Sequence, residues 1–329
     1  MNNGMDTRPI IGVTEAFGER AKALRRLQRK LLDLFADAGF EEVIPPLVER
    51  PATLNSGAGM YLGDEMIVFS DPAGAGVLAI RPDMTPQIAR IAATRLMHEK
   101  VLRLCYSGMV LTARPDSGTG SRQQWQTGLE LMGEAGVDAD VEVIHLAAMA
   151  MRVAGFDQPV IQVGHMGLIR HLLAGSRLGL DAWARLLARR SPEDIGRQLA
   201  GDGLPDAHGS LLLAMASGEC GEDWLRQSAR PLGGEVAEAA DELLHLAEAV
   251  RARLHRELEI RVDAGLVPHF LYHSGIVFAG YAAGAPRSLI DGGRYDDMMK
   301  AHGRDMPATG FSCDLWLWLD DGALQEQGN

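Results

Sequence analysis

The chain has 329 residues, of which 47% are hydrophobic and 23% charged, an ordinary balance for a soluble globular protein. The formal net charge of −12 excludes a nucleic-acid partner held by a generally basic surface. Three cysteines, without a CxxC pair, exclude a disulfide framework and make a zinc site improbable. No signal peptide and no apolar run of about 20 residues is visible, so we expect a cytoplasmic protein without a membrane span.

The first predicted unit is a helix followed by a strand. Apolar residues recur at intervals of three and four over 15–38, which predicts an amphipathic helix that ends at Gly39. The stretch "EEVIPPLVE" (41–49) predicts a strand, and Pro45-Pro46 confines it to an edge or an interface.

The next unit combines a buried strand, a helix and a strand pair. The strand is predicted over 76–85, and Thr85-Pro86 predicts a helix with Thr85 as its N-cap. Strands over 101–112 and 125–133 flank a loop rich in Gly, Ser and Arg, which predicts an antiparallel pair.

The rest of the chain alternates between strands and a long helical region. A helix capped by Asp138 or Asp140 is predicted over 138–156, and a strand over 159–167. From about 170 to 256 the pattern is helical, and further strands are predicted over 258–266, 270–281, 288–299 and 308–320. We therefore expect a single domain whose strand-rich core is interrupted by a helical insertion.

"SLIDGGRYDDMM" (288–299) places two glycines directly before Arg294, Tyr295 and Asp296. Paired glycines let a backbone approach another group closely, and the polar residues make a ligand a natural candidate for that group. A strand with a glycine bulge is the simpler alternative.

The order of these motifs resembles the catalytic domain of class II aminoacyl-tRNA synthetases, and among them histidyl-tRNA synthetase. The segments that resemble the three class motifs and two histidyl signatures are "GFEEVIPPLVE", "YSGMVLTARP" with "RQQWQTGLELMG", "PATGFSCDLWLWL", "LYHSGIVFAGY" and "GGRYD". The resemblance implies an α+β fold with an antiparallel sheet flanked by helices. It implies a core of about 8–170 and 258–326, a helical insertion of about 171–257, and no anticodon-binding domain.

The resemblance also implies a histidine pocket. In the family, the corresponding residues surround the amino group and the imidazole of the substrate. The implied ligand-binding residues are Asp83, Thr85, Gln126, Glu130, Tyr272, His273, Gly292, Gly293 and Tyr295. Gln126 and Glu130 are four apart on a predicted strand, so they share one face.

Several positions depart from the family pattern. Asp83 stands where the synthetase has Glu, His273 replaces the second residue of a tyrosine pair, and Ala279 replaces a Glu. Three positions that hold arginine in the synthetase are Thr112, Pro268 and Leu317. Arg114 follows two residues after Thr112 and would serve only if the loop shifted.

The missing arginines imply that adenylation is lost, because each such donor is worth about 10²–10³ in rate. We therefore expect no catalytic residues, no cofactor, no metal and no tRNA partner. A synthetase-like core without these charges resembles the regulatory subunits of ATP phosphoribosyltransferase. That resemblance implies a short-form catalytic subunit as partner in the first step of histidine biosynthesis, histidine as allosteric ligand, and a homodimer through the first helix and strand.

Two alternatives remain open at this stage. One is a tRNA-independent amino-acid ligase, which the arginine positions disfavour. The other is a structural assembly subunit with a pocket that binds nothing, which only a histidine-binding measurement can separate from the regulatory hypothesis.

Overall fold

The computed structural model describes residues 9–55, 62–74, 76–116, 118–254 and 258–323. The strands are β1 (Glu41–Glu42), β2 (Val48–Glu49), β3 (Ile67–Ser70), β4 (Val77–Ile80), β5 (Leu102–Leu111), β6 (Gln123–Met132), β7 (Val160–His165), β8 (Glu259–Val262), β9 (Ile276–Tyr281), β10 (Ile290–Arg294) and β11 (Ala308–Asp314). The helices are α1 (Gly18–Asp37), α2 (Pro51–Leu54), α3 (Thr85–Thr94), α4 (Val137–Ala154), α5 (Met166–Leu172), α6 (Leu180–Ala188), α7 (Pro192–Asp202), α8 (Asp206–Ser217), α9 (Glu222–Trp224), α10 (Gly234–Leu254), α11 (Asp296–Ala301) and α12 (Leu315–Asp320).

A large sheet organises the fold. Its eight strands lie in the order β1-β5-β6-β11-β10-β9-β7-β8, and β2, β4 and β3 form a separate small sheet. The six central strands of the large sheet pair antiparallel, whereas β1 with β5 and β7 with β8 pair parallel. The predicted α+β class, with a largely antiparallel sheet flanked by helices, is confirmed.

One face of the large sheet carries the apolar core. Leu27, Leu31 and Phe35 of α1 are completely buried, and the Phe35 ring meets the Phe311 ring of β11 edge-on at 5.8 Å. Because side chains alternate along a strand, Gly310 and Ser312 point to the opposite face from Phe311. That opposite face is the polar one on which the site is built.

The long helices begin at residues other than the predicted caps. The cap of α3 is Met84 rather than Thr85, and the cap of α4 is Gly136 rather than Asp138 or Asp140. Asp140 is instead buried and accepts a hydrogen bond from Arg294 Nη2 at 2.9 Å. Asp140 therefore does not cap α4 as the local pattern predicted, because its carboxylate binds Arg294, 154 positions away in the chain.

Most predicted strands are shorter than the sequence suggests: those over 76–85 and 258–266 are the four-residue strands β4 and β8, and those over 288–299 and 308–320 continue as α11 and α12. The strand predicted over 41–49 is two pieces of two residues, because Arg81 Nη1 and Gln87 Nε2 bind the Pro45 and Pro46 carbonyls at 2.8 Å each. The strand predicted over 270–281 begins only at Ile276.

The helices of the predicted insertion lie between β7 and β8, from α5 to α10. Polar contacts that tie them to the sheet include His165 Nε2, 3.0 Å from Glu242 Oε2, and the ion pair of Arg190 with Asp263. Among the described residues, no helix is both long and apolar enough to cross a membrane.

Candidate functional site

Glu130 lies at the centre of the polar face, beside a row of glycines. On the neighbouring strands, Gly310 is its register partner and Gly293 is the partner of Gly310. A Cβ atom at Gly310 would lie 1.8 Å from Glu130 Oε2, so the glycine is what allows the carboxyl to lie across β11.

Three hydroxyl groups surround the Glu130 carboxyl. Oε1 accepts from Thr85 Oγ1 at 2.9 Å and from Tyr106 at 3.0 Å, and Oε2 accepts from Tyr295 at 2.5 Å. Burial raises the pKa of Glu130 to about 8, although the hydroxyls oppose that rise. The group is therefore predominantly protonated at neutral pH, and its hydrogen bonds are made within the protein.

A second buried carboxyl, Asp83, is joined to Gln126. Gln126 Nε2 donates to Asp83 Oδ1 at 2.7 Å, and Gln126 Oε1 accepts from the Met84 amide at 2.9 Å. Burial also raises the pKa of Asp83, against the effect of these donors and of the Tyr272 hydroxyl. Asp83 Oδ2 has no hydrogen bond of normal geometry to the described part of the chain.

Tyr272 and His273 lie on a loop rather than on the predicted strand. Arg170 Nη2 of α5 donates to the carbonyls of Leu271 and His273 at 2.8 and 3.0 Å, which holds the loop against the sheet. The ring centroids of Tyr272 and His273 are 4.6 Å apart. Burial lowers the pKa of His273 to about 4, so the ring is neutral; its Nδ1 donates to the Phe270 carbonyl at 3.0 Å.

The two glycines of "GGRYD" meet protein groups in this structure. A Cβ atom at Gly292 would lie 2.4 Å from Phe278 Cζ, and one at Gly293 would lie 2.8 Å from His273 Cδ2. Gly293 also has a φ of 154°, which side chains rarely adopt. The close approach predicted from the sequence is present: Phe278 approaches Gly292, and the Ile276 carbonyl and His273 approach Gly293.

These residues border two cavities of different size. The smaller has a volume of about 10 Å³, no more than one water molecule needs, and it is bordered by Thr85, Glu130, His273 and Tyr295. The larger has a volume of about 770 Å³. Gln126, Tyr272 and His273 contribute to its wall, whereas Asp83 borders neither cavity.

The larger cavity lies between the sheet and α6. Its charged wall residues are three arginines and four aspartates, namely Arg185, Arg189, Arg287, Asp116, Asp181, Asp291 and Asp314. Arg185 is paired with Asp181 at 2.5 Å, and Arg287 lies 3.8 Å from Asp116. A wall that contains both signs, with one more acid than arginine, suits a zwitterionic or cationic ligand better than a polyphosphate.

The three positions at which the family has arginine lie in different places. Pro268 and Leu317 border the larger cavity, and Thr112 does not. Arg114 points away to Asp64, with Nη2 3.2 Å from the carboxylate and both side chains largely exposed. The structure therefore does not bring Arg114 into the cavity as a substitute.

Asp291 is a wall residue that the sequence did not reveal. It borders both cavities, and its register partners are Ala279 on β9 and Ser312 on β11. A sequence signal for Asp291 does exist. Ala279 replaces a Glu of the family on β9, and Asp291 is the residue paired with it on β10, so an acidic side chain remains at this place in the sheet.

The described residues contain no group of three or more His, Cys, Asp and Glu side chains that could hold a metal ion. The side chains of the site offer hydrogen bonds through carboxyls, hydroxyls, the Gln126 amide and the neutral His273 imidazole.

Comparison with known proteins agrees with this architecture. The family model for histidyl-tRNA synthetase matches residues 12–316. The ATP phosphoribosyltransferase regulatory subunits of Thioalkalivibrio sulfidiphilus and Chromohalobacter salexigens are 40% and 36% identical to this chain. The matches cover 92% and 96% of this chain, and 78% and 81% of those proteins.

A solved structure from Bacillus halodurans, described as an ATP phosphoribosyltransferase regulatory subunit/histidyl-tRNA synthetase, superimposes with a TM-score of 0.82 at 25% identity. That match covers 98% of this chain and 84% of the other. Fold and family model together define a protein built on the histidyl-tRNA synthetase domain. Within that class, the chain belongs to the family of ATP phosphoribosyltransferase regulatory subunits.

Proposed function

We propose that this chain is a non-catalytic subunit that regulates a short-form ATP phosphoribosyltransferase, a glycosyltransferase, in response to histidine. The observation that carries the proposal is the 40% identity over 92% of the chain to a protein named as such a regulatory subunit. The wall of the larger cavity supports it, because Pro268 and Leu317 offer no charge to a phosphate where the synthetase has arginines.

The ligand is L-histidine, held on the polar face of the sheet. Asp83, Thr85, Gln126 and Glu130 supply acceptors and hydroxyl groups suited to an ammonium and an imidazole. Tyr272, His273, Gly292 and Tyr295 border the cavity beside Glu130, and Gly293 lies against the His273 ring. Because the cavity beside Glu130 holds about 10 Å³, the imidazole ring enters it only if the Tyr272–His273 loop moves outward.

The subunit itself forms a homodimer through the first helix and the strand that follows it. Ile44 and Leu47, on either side of Pro45-Pro46, are 82% and 48% exposed, an unusual place for large apolar side chains on an isolated protein. Ile44→Asp should convert the dimer to a monomer in sizing with light scattering. Leu232→Asp, an exposed apolar residue of the helical insertion, is the matched control and should remain dimeric.

The regulatory role is tested by mixing the chain with the catalytic subunit of its own organism. The two chains should co-elute, transferase activity should rise, and histidine should lower it. Glu130→Ala, which removes the carboxyl altogether, should raise the histidine concentration required for half-inhibition by roughly 10-fold, as expected for about 1.4 kcal/mol of lost hydrogen bonding. Unchanged mass and unchanged activity on mixing would refute the regulatory assignment.

The structural assembly subunit remains a second candidate, because the cavity beside Glu130 is nearly filled by protein groups. Calorimetry separates the two candidates: a subunit that co-elutes and stimulates but binds no histidine is an assembly factor. The ligase alternative is tested by histidine-dependent ATP–pyrophosphate exchange, in which we expect no turnover; a rate of about 1 per second or more would revive it.

A further inference from the structure

Asp291 stands where the two cavities meet. It contributes to the wall of both, on the same face of the sheet as Glu130 and Gln126. Its register partner Ala279 is too short to cover it, and Ser312 lies on its other side. A group placed at this junction would be within reach of both the small polar pocket and the open cavity.

Asp291 is half-buried, and its hydrogen bonding differs from that of the two buried carboxyls, Asp83 and Glu130. Among the described residues, Ser288 Oγ donates a hydrogen bond to Asp291 Oδ2 at 3.3 Å. Glu130, by contrast, accepts three short hydrogen bonds from hydroxyls. Asp291 therefore retains most of its capacity to accept hydrogen bonds.

The half-buried Asp291 carboxyl faces the larger cavity and lies near the charge of His269. Burial raises the pKa of Asp291, and the charge of His269 only partly opposes that rise. A carboxylate away from water normally has a cation or several donors beside it. A positively charged group of a bound ligand would favour the ionised form of Asp291 and lower its pKa, so the position suits a cationic group.

We propose that Asp291 is a ligand-binding residue that holds the α-ammonium group of the amino acid at the junction of the two cavities. This inference rests on the histidine ligand of the proposed function. It places the ring toward Glu130 and the ammonium at Asp291. The same carboxylate repels phosphate, so it selects an amino acid over a nucleotide in a cavity large enough for either.

Calorimetry with three ligands tests the assignment. Histidine and histidinol both carry the ammonium, and imidazole-lactate has a hydroxyl in its place. Asp291→Asn should weaken histidine and histidinol by roughly 10–150-fold, the range for a hydrogen bond to a charged group. The affinity for imidazole-lactate, measured by competition where it is weak, should change less than threefold.

The matched control is Asp181→Asn, which removes the same charge from the rim of the same cavity at a residue already paired with Arg185. It should change histidine affinity less than threefold. Asp291→Ser provides a second variant if Asp291→Asn proves unstable in thermal unfolding.

Equal histidine affinity in the wild type and both Asp291 variants would overturn the assignment while leaving the proposed function intact. An equal loss for imidazole-lactate would also overturn it, since the residue would then act on the ring or on the pocket as a whole. Absence of histidine binding to the wild type would refute the ligand of the proposed function, and this inference with it, whatever the outcome of mixing with the catalytic subunit.

Discussion

The two ends of the polar face hold a carboxyl in opposite ways: Glu130 is buried, and Asp291 is half-buried beside an open cavity. Around Glu130, three hydroxyls and a glycine fit the carboxyl so closely that about 10 Å³ is left. Around Asp291, a single hydroxyl at 3.3 Å faces a cavity of about 770 Å³. An acidic residue in a pocket is therefore not by itself a binding group. What matters is how much of its hydrogen-bonding capacity the protein already uses.

The region around Glu130, here called the closed end, should tolerate added volume less well than the region around Asp291, the open end. Gly310→Ala places a methyl group 1.8 Å from Glu130 Oε2 and 2.5 Å from the Leu129 carbonyl. We expect a loss of about 3 kcal/mol or more in the free energy of unfolding, measured by chemical denaturation. Gly196→Ala is the control: in α7 the added Cβ meets nothing nearer than 3.9 Å, so that variant should be neutral or slightly stabilised. Equal stability of the two variants would contradict the tight packing of the closed end.

The protonation of Glu130 should make the closed end sensitive to pH. Its folded-state pKa, about 8, lies above the ordinary value of 4.5, so the folded chain retains a proton that the unfolded chain has lost between those values. The resulting stabilisation is complete below pH 4.5 and is lost as pH rises through 8. Glu130→Gln removes this titration.

The difference in unfolding free energy between wild type and Glu130→Gln should therefore fall with rising pH, by up to about 1.4 kcal/mol per unit. Denaturation series between pH 5 and 8 measure it. The exposed Glu41→Gln provides a control for the change of charge. A difference that stays constant over the series would show that Glu130 is ionised throughout.

A single hydroxyl at the closed end should have a smaller effect. Tyr295→Phe removes the donor 2.5 Å from Glu130 Oε2 and leaves that oxygen short of a partner. Thermal and chemical unfolding should show a loss of about 1–3 kcal/mol. Tyr281→Phe is the control from the open end, where Tyr281 borders the larger cavity, and it should cost less. A larger loss of stability in Tyr281→Phe than in Tyr295→Phe would mean that the Tyr295 hydroxyl contributes little to the stability of the buried Glu130.

The smallest effect should come from outside both ends. Arg114→Gln breaks an ion pair with Asp64 in which both side chains are largely exposed, so it should cost under about 0.5 kcal/mol. Histidine affinity in calorimetry should be unaffected. A marked loss of histidine affinity would mean that the loop shifts on binding and brings Arg114 into the cavity, in place of the arginine that is missing at Thr112.

Local pattern predicted well what depends on neighbouring residues. The spacing of Gln126 and Glu130 put both on one face, and "GGRYD" predicted a close approach that the structure contains. The caps of α3 and α4 could not be predicted in this way, because Asp140 is bound by Arg294 from a distant part of the sequence. Asp291 was missed for a related reason. Its meaning depends on lying opposite Ala279, which only the strand register reveals.

Arg170 gives the helical layer a mechanical connection to the ligand site. It belongs to α5, and its guanidinium grips the backbone of the loop that covers the glycine row. A tilt of α5 would shift the Arg170 side chain and, through its two hydrogen bonds, displace the loop. A catalytic subunit that bound to the helices of the insertion and tilted α5 would thereby change access to the ligand site without contacting it. Amide hydrogen exchange should then change together in α5 and in the Tyr272–His273 loop when the catalytic subunit is added. Independent changes in the two segments would contradict this coupling through Arg170.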